Sequence, residues 1–228
     1  KKPSGSYGII GCFSTQTYKH INSGEGGLIT TNDPQIMSKS IALSGSYMMF
    51  EKHLSAPAKA HFDGVKYETP NISGRMDQLR AAILRPQLKE LDTQVARWKE
   101  RYMIIESSLS RVAGLQIIER QTQENFVGSS FQFLLLNRSY AEIQSIVEGC
   151  KSRGVELKWF GQGEPIGFTS KYDSWKYIPS QKMTKSDRII NSILDMRLPL
   201  TFSPEDCKLI ATIIGQEVER KTPLERNG

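Results

Sequence analysis

Lys19 lies between a run of hydroxyl and aromatic side chains, Phe13-Ser14-Thr15-Gln16-Thr17-Tyr18, and a glycine-rich turn, Gly24-Glu25-Gly26-Gly27. An amine placed in this way can hold an aldehyde cofactor as a Schiff base, provided that its neutral form is reachable in a partly desolvated pocket near other positive groups. The chemistry also needs a fixed backbone. Ile9, Ile10, Cys12 and Phe13 read as a short buried strand and Gly27-Leu28-Ile29-Thr30-Thr31 as a second one, while the glycines between permit tight turns and close approach by a ligand. Asn32-Asp33-Pro34 is a stop followed by a helix start, with Asp33 as N-cap and Pro34 at the first helical position. Lys19 therefore sits on the connection between two strands. On local chemistry alone a solvated loop lysine is the commoner outcome, and one Gly-rich turn is weak evidence for phosphate binding.

The whole string says more. It closely resembles the active-site segment of the DegT/DnrJ/StrS family of pyridoxal-phosphate sugar aminotransferases: a Phe-Ser pair, the Schiff-base lysine five residues after the serine, then Gly-Glu-Gly-Gly and Thr-Asn-Asp. The resemblance implies that Lys19 forms the internal aldimine with pyridoxal 5'-phosphate and later shuttles the proton between the amino-acid donor and the cofactor. It places Ser14 on the cofactor phosphate and Gln16 near the cofactor, with Asn22 and Glu25 stabilising the turn. A branch of the family carries histidine at the lysine position and dehydrates its sugar. Here the register puts Lys19 there and His20 one residue beyond, which favours amino transfer.

The resemblance continues through Asn71-Ile72-Ser73-Gly74-Arg75-Met76-Asp77, Gln87-Leu88 and Leu91-Asp92, similar to an Asn-x-Arg-Met stretch that reaches the partner's cofactor across a dimer interface. Ser73 replaces the asparagine two places before Arg75, Asn71 is displaced by two, and Gly74 stands where an aromatic is usual. Arg75 is carried over as a cofactor-binding residue. Leu198-Pro199-Leu200 and Ser203-Pro204-Glu205-Asp206 match a further landmark, so the likeness spans positions 7 to 218.

The implied fold is α/β, the C-terminal portion of an aspartate-aminotransferase-like, fold type I enzyme. Residues 1–90 would end the large cofactor-binding domain, and residues 91–228 would form a spine helix and the small α/β domain. Family members carry their lysine near mid-chain, after a part that supplies the pyridine-nitrogen partner, the ring-stacking side chain and a phosphate-binding helix N-terminus. The expectation is thus the C-terminal portion of a longer enzyme, inactive alone. That enzyme would be a homodimer with shared sites, moving an amino group from an amino acid, expected to be L-glutamate, to a nucleotide-linked keto sugar. A sugar dehydratase of the same family and a basic binding module that kept the fold are the alternatives.

Composition permits this. The 228 residues, 38% hydrophobic, can bury a sizeable core in one or two domains. The longest strongly apolar run, Phe133-Leu134-Leu135-Leu136, is strand-sized, and the first residues lack a signal-peptide stretch and an initiator methionine. Cys12, Cys150 and Cys207 are isolated, fit a reducing cytoplasm rather than a disulfide or zinc framework, and are expected to be buried. The net charge of +6 raises nucleic-acid binding. Yet the basic residues alternate with acids, as in Lys99-Glu100-Arg101, and no binding motif accompanies them; a solvated surface is the expectation, with neither nucleic acid nor membrane as partner.

The elements follow from pattern. Residues 44–70 read as a long ordered excursion with Tyr47, His53, His61 and Tyr67, the histidines as loop or surface residues without metal-ligand spacing. From Arg75 to about Val112, apolar residues from Leu84 through Tyr102 to Leu109 recur in steps of four and three, predicting one long helix kinked at Pro86 and closed by Gly114. Residues 115–118, 131–136 and 155–160 read as strands. A helix capped by Ser139 ends at Gly154, and a final helix begins at Ser203, where a Ser-Pro-Glu-Asp capping signature precedes Cys207, Leu209, Ile210, Ile213 and Ile214, ahead of a frayed tail from Arg220 to Gly228. Between 160 and 183, Gly167, Phe168, Tyr172, Trp175 and Tyr177 could stack on a sugar or base ring or anchor the loop by packing on one another. A histidine-containing substrate motif that the family often has there is absent.

Overall fold

The computed structural model describes residues 2–46, 48–70, 72–164, 172–179 and 181–220. Tyr47, Asn71, Gly167, Phe168 and the tail beyond Arg220 lie outside the described residues. The chain divides into two compact units, Lys1–Leu91 and Asp92–Gly228.

In the first unit β1 (Ile10–Ser14) and β2 (Gly27–Thr31) pair antiparallel, Ile10 opposite Thr31 and Ser14 opposite Gly27. The strands form where expected but are not buried. Ile9, Ile10, Phe13, Leu28 and Ile29 are exposed, and so is Cys12. A two-stranded ribbon has two faces, and burying both takes further layers, which the described residues do not place over it. The Asp33 carboxylate then caps α1 (Pro34–Leu43), accepting from the N–H groups of Gln35 at 2.8 Å and Ile36 at 3.1 Å.

Residues 44–70 are ordered by short 3-10 turns at Phe50–Lys52 and Lys59–Phe62 and by α2 (Val65–Glu68). Phe50 stacks on Phe62 at 4.4 Å, and Phe62, Val65 and Ile41 are buried. His53 and His61 are turn residues: His53 Nδ1 accepts from the Ser55 N–H, and the His61 ring pairs with the Gln35 amide.

The single long helix is two. Asp77 caps α3 (Gln78–Lys89), so Arg75 precedes the helix, and α4 (Leu91–Leu109) begins after a break at Glu90. Pro86 lies inside α3 and removes one ladder donor there. The break falls four residues later, where the Glu90 N–H turns back to the carbonyls of Pro86 and Leu88. Leu88 is exposed in consequence, and Gly114, at φ +80°, serves the turn after α4 rather than its cap.

The second unit is an antiparallel sheet of β3 (Gln116–Ile117), β4 (Ser130–Leu134), β5 (Lys158–Trp159) and β6 (Ile193–Arg197), in the order β3-β4-β6-β5. Phe131 and Phe133 of β4, Trp159 of β5 and Leu194 and Met196 of β6 point into a core completed by Tyr102, Ile105 and Leu109 of α4, Ile143 and Ile146 of α5 (Tyr140–Ser152), and Ile214 and Val218 of α7 (Pro204–Arg220). The short α6 (Thr184–Ile190) was not expected, and the strand of the strand-turn-helix landmark is β6, which ends at Arg197 just before Leu198 and lies centrally in the sheet. Trp98 is half-buried and Tyr102 is core.

Two reciprocal caps start α5 and α7. Ser139 Oγ accepts from the Glu142 N–H while the Glu142 carboxylate accepts from the Ser139 N–H, and Ser203 and Asp206 repeat the exchange. On α7 the inward stripe is Cys207, Ala211, Ile214 and Val218; Leu209 is exposed, two positions from Cys207 and therefore on the far face. The buried guanidinium of Arg101 donates to the carbonyls of Phe202 and Arg97 at 2.7 and 2.9 Å, fixing the turn before α7 to α4.

Candidate active site

The connection from β1 to β2 is a stiff loop. The N–H of buried Thr15 donates to the Gly26 carbonyl at 2.9 Å, the Ser23 N–H to the Thr15 carbonyl at 2.9 Å, and both the N–H and hydroxyl of Thr17 to the Gly24 carbonyl. These bonds extend the ladder beyond the strands. Gly24 and Gly26 take φ of +87° and +135°, a region that side-chain-bearing residues avoid. A Cβ on Gly26 would come 2.8 Å from Thr15 Oγ1 and 2.9 Å from Met76 Cε. Met76 thus packs against the base of the loop.

At the tip, a four-residue turn is closed by the Lys19 N–H donating to the Gln16 carbonyl at 2.9 Å. Lys19 is exposed. Ser14 Oγ accepts from the Gln16 N–H at 3.3 Å, and Gln16 Oε1 accepts from the Tyr18 N–H at 3.1 Å. Ser14 keeps its O–H and Gln16 its NH2 as donors. Ser14, Gln16 and Lys19 are thereby brought onto one hydrogen-bonded segment.

Arg75 lies on a separate stretch before α3, with Nη1 donating to the Gly45 carbonyl at 3.0 Å. Among the described residues no further hydrogen-bond acceptor is assigned to its guanidinium, whose other N–H groups could meet an anion. Asn22 stabilises the turn, as expected, by donating from Nδ2 to the Lys19 carbonyl at 3.4 Å; Glu25 contributes its carbonyl, which accepts from the Ser23 hydroxyl.

Gln87 is the residue that sequence reasoning passed over. Its amide bonds both main-chain groups of Asn22, at 2.9 and 2.7 Å. The one signal was its place in the Gln-Leu landmark, which carried no role.

The donor set suits an anionic aldehyde: an amine, a hydroxyl, an amide and a guanidinium, on a backbone whose Gly24 has open space where a side chain would stand. In chemical type the residues fit pyridoxal 5'-phosphate. Two grooves of about 370 and 310 Å³ open elsewhere in the first unit, one lined by Thr30, Asp33, Met37 and Pro57 and the other by Phe50, Phe62, Val65 and Pro70. Lys19 lines neither. Among the described residues no group of His, Cys, Asp or Glu could hold a metal ion, and no helix is long and apolar enough to cross a membrane.

In the second unit, the Tyr172 hydroxyl donates to Asp187 at 2.6 Å, which raises the phenol's pKa, and Trp175 stacks on Tyr177 at 5.8 Å.

Comparison with known proteins agrees with this chemistry. The sequence model of the DegT/DnrJ/EryC1/StrS aminotransferase family matches residues 1–215. L-glutamine:2-deoxy-scyllo-inosose aminotransferase of Streptomyces kanamyceticus is 31% identical over 111 residues, 47% of this chain and 25% of that protein. Helicobacter pylori PseC, an aminotransferase involved in the biosynthesis of pseudoaminic acid, superposes with a TM-score of 0.76 at 14% identity, over 96% of this chain and 56% of that one. The E. coli GDP-4-keto-6-deoxy-D-mannose-3-dehydratase with bound hydrated PLP gives 0.72 at 18% identity, over 93% and 56%. At these identities the solved structures establish the α/β fold. The chain spans about half the length of these structures, and the match to the curated relative covers a quarter of it.

Proposed function

The chain belongs to the DegT/DnrJ/EryC1/StrS aminotransferase family, and from that premise we propose that it binds pyridoxal 5'-phosphate through Lys19 and moves an amino group from an amino acid to a keto sugar. The observation that carries this reading is the Lys19 turn, hydrogen-bonded to Gln16 at its tip and held at its base by Thr15, Thr17, Gly24 and Gly26. A fixed backbone is what an anchoring amine needs to meet a reacting carbon in one orientation.

When bound, the cofactor supplies an electron sink for the pair left behind as the donor's α-proton departs. Released when the donor's amine takes its place on the cofactor, Lys19 Nζ would be the base that takes this proton and gives it back from the same position. Ser14 Oγ, already accepting from the Gln16 N–H, would donate its O–H to the cofactor's phosphate, and Gln16 would offer its NH2 to the same group. Arg75 supplies positive charge to a phosphate, in a homodimer whose copies share their sites, while its bond to Gly45 keeps the guanidinium from swinging freely.

Residues 1–90 serve as the end of the large domain and 91–228 as spine helix and small domain, a division supported by the change of compact unit at Leu91 and Asp92. The donor in this reading is L-glutamate, with L-glutamine, the donor in the curated relative's name, as the other candidate. The acceptor is a nucleotide-linked keto sugar and the site of action the cytoplasm. The dehydratase likeness concerns fold alone, and an amine rather than an imidazole at position 19 sets amino transfer ahead of it.

The test is transfer of isotope from 15N-labelled glutamate, then glutamine, to a panel of nucleotide-linked keto sugars, using the intact gene product. Transfer that Lys19→Ala abolishes supports the reading. Transfer that survives Lys19→Ala defeats it.

A further inference from the structure

Gln87 stands on α3, 65 positions along the chain from Asn22, and joins it as one peptide group joins another. Its Oε1 accepts from the Asn22 N–H at 2.9 Å and its Nε2 donates to the Asn22 carbonyl at 2.7 Å. Nε2 also donates to the Ile83 carbonyl one turn back at 3.0 Å, so the side chain is tied to its own helix. Asn22 carries the connection onward, through Nδ2 to the Lys19 carbonyl at 3.4 Å. The bonds described for the base of the loop run within the hairpin itself. Gln87 ties the loop to a helix.

We propose that Gln87 is a positioning residue for Lys19: by pairing with the Asn22 backbone it holds the amine-bearing turn in the geometry that reacts with the cofactor's aldehyde. This rests on Lys19 being the anchoring amine. A site supported from a helix is held more tightly than one supported by its own loop, and a small misplacement of a reacting group lowers its rate steeply.

The chemistry of the pairing dictates the test. A primary amide offers one donor and one acceptor to Asn22, which methionine lacks altogether. A glutamate carboxylate keeps the acceptor but sets a second oxygen against the Asn22 carbonyl, and a protonated carboxyl restores both.

The intact gene product, stripped of cofactor, is compared with Gln87→Met and Gln87→Glu in two readouts. One is the hydrogen-exchange protection of the Asn22 amide. The other is the rate at which pyridoxal phosphate becomes fixed to Lys19, where amine and aldehyde join with loss of water and borohydride delivers hydride to the C=N bond. Gln87→Met is expected to lower both by about tenfold, the loss of two partly buried hydrogen bonds. The rate for Gln87→Glu relative to wild type is expected to recover as pH falls from 8 towards 5 and the carboxyl takes up its proton.

Fixation in Gln87→Met at the wild-type rate, with Asn22 deprotected, would overturn the proposal, because Gln87 would then brace the backbone without serving the amine. Should Gln87→Met not fold, the Gln87→Glu series decides: a ratio to wild type that ignores pH overturns the proposal. Wild-type protein that takes up cofactor at another lysine removes the Lys19 reading first, and this inference with it.

Discussion

Thr15 and Gly26 face one another across the base of the Lys19 loop, joined by a 2.9 Å bond from the Thr15 N–H to the Gly26 carbonyl. The contact is too close for any side chain at Gly26, whose Cβ would crowd Thr15 Oγ1 and Met76 Cε, and its φ of +135° is strained for any residue but glycine. Gly26→Ala is therefore expected to destabilise the protein by about 1–3 kcal/mol. Gly24 also has a positive φ, but nothing lies within 4 Å of its Cβ position. Gly24→Ala should cost only the backbone term, about 1–2 kcal/mol. Thermal unfolding of both variants checks the order; a Gly24→Ala loss as large as that of Gly26→Ala would contradict it.

Arg75 gives one donor to the Gly45 carbonyl and keeps the rest of its fork. If that fork serves the cofactor's phosphate, Arg75→Met weakens pyridoxal phosphate binding about tenfold and leaves the binding of pyridoxal, which has no phosphate, unchanged. Titration with the two compounds separates the cases. Equal weakening of both would assign Arg75 to loop structure alone.

These features were unequally visible in the sequence. The Asp33-Pro34 start, the Ser139 and Ser203 caps and the Gly24 and Gly26 turns were legible because a side chain there acts on backbone within a few residues. The bounds and central place of strand β6 were not legible, because its run Ile193-Leu194-Asp195-Met196-Arg197 is short and charged on one face, and its position depends on β4 and β5, far away in sequence. Cys12 went the wrong way because burial depends on what covers a residue, which a short apolar run does not reveal. The Lys19 segment could be found only as a whole string, and Gln87 showed only its place in the Gln-Leu landmark without a role, since its partner Asn22 is 65 positions away.

Glu217 of α7 is buried against α5, where Gly149 leaves room for it: a Cβ on Gly149 would stand 2.9 Å from the Glu217 Cδ. Gly149→Ala is expected to cost about 1–3 kcal/mol by forcing the two helices apart. Recovery of stability in Gly149→Ala combined with Glu217→Ala, seen in a double-mutant cycle, checks the contact. Additive losses would deny it.

The same carboxylate sets an acid limit. Burial pushes the Glu217 pKa up, but hydrogen bonds and charge from Arg153 and Arg220 prevail and hold it below the usual range. Backbone N–H groups of Ser139 and Ser203 lower Glu142 and Asp206 likewise. For each, the folded state binds its proton more weakly than the unfolded state. The stability they contribute is present above the ordinary carboxylate range and is lost as pH falls through the depressed values. Melting temperature is expected to fall steadily below about pH 5, and less steeply in Glu142→Gln. An unchanged slope in that variant would contradict the assignment.

Cys150 and Cys207 are buried, and Cys12 is exposed. Burial first, and the charge of Glu217 second, push the Cys150 thiol up to about 12, and burial raises Cys207. Neither forms thiolate near neutrality, so at about pH 8 an alkylating reagent should modify Cys12 first and reach the other two only on unfolding. Peptide mapping after brief alkylation tests this, and early labelling of Cys150 would contradict the packing described for α5.

The central claim is that Lys19 is the amine that holds the cofactor. The most direct measurement is borohydride reduction of the intact, cofactor-loaded gene product followed by mass spectrometry of its peptides. The account predicts one phosphopyridoxyl adduct, on Lys19, and none in Lys19→Ala. An adduct on another lysine of the wild-type protein, or one that persists in Lys19→Ala, would contradict it.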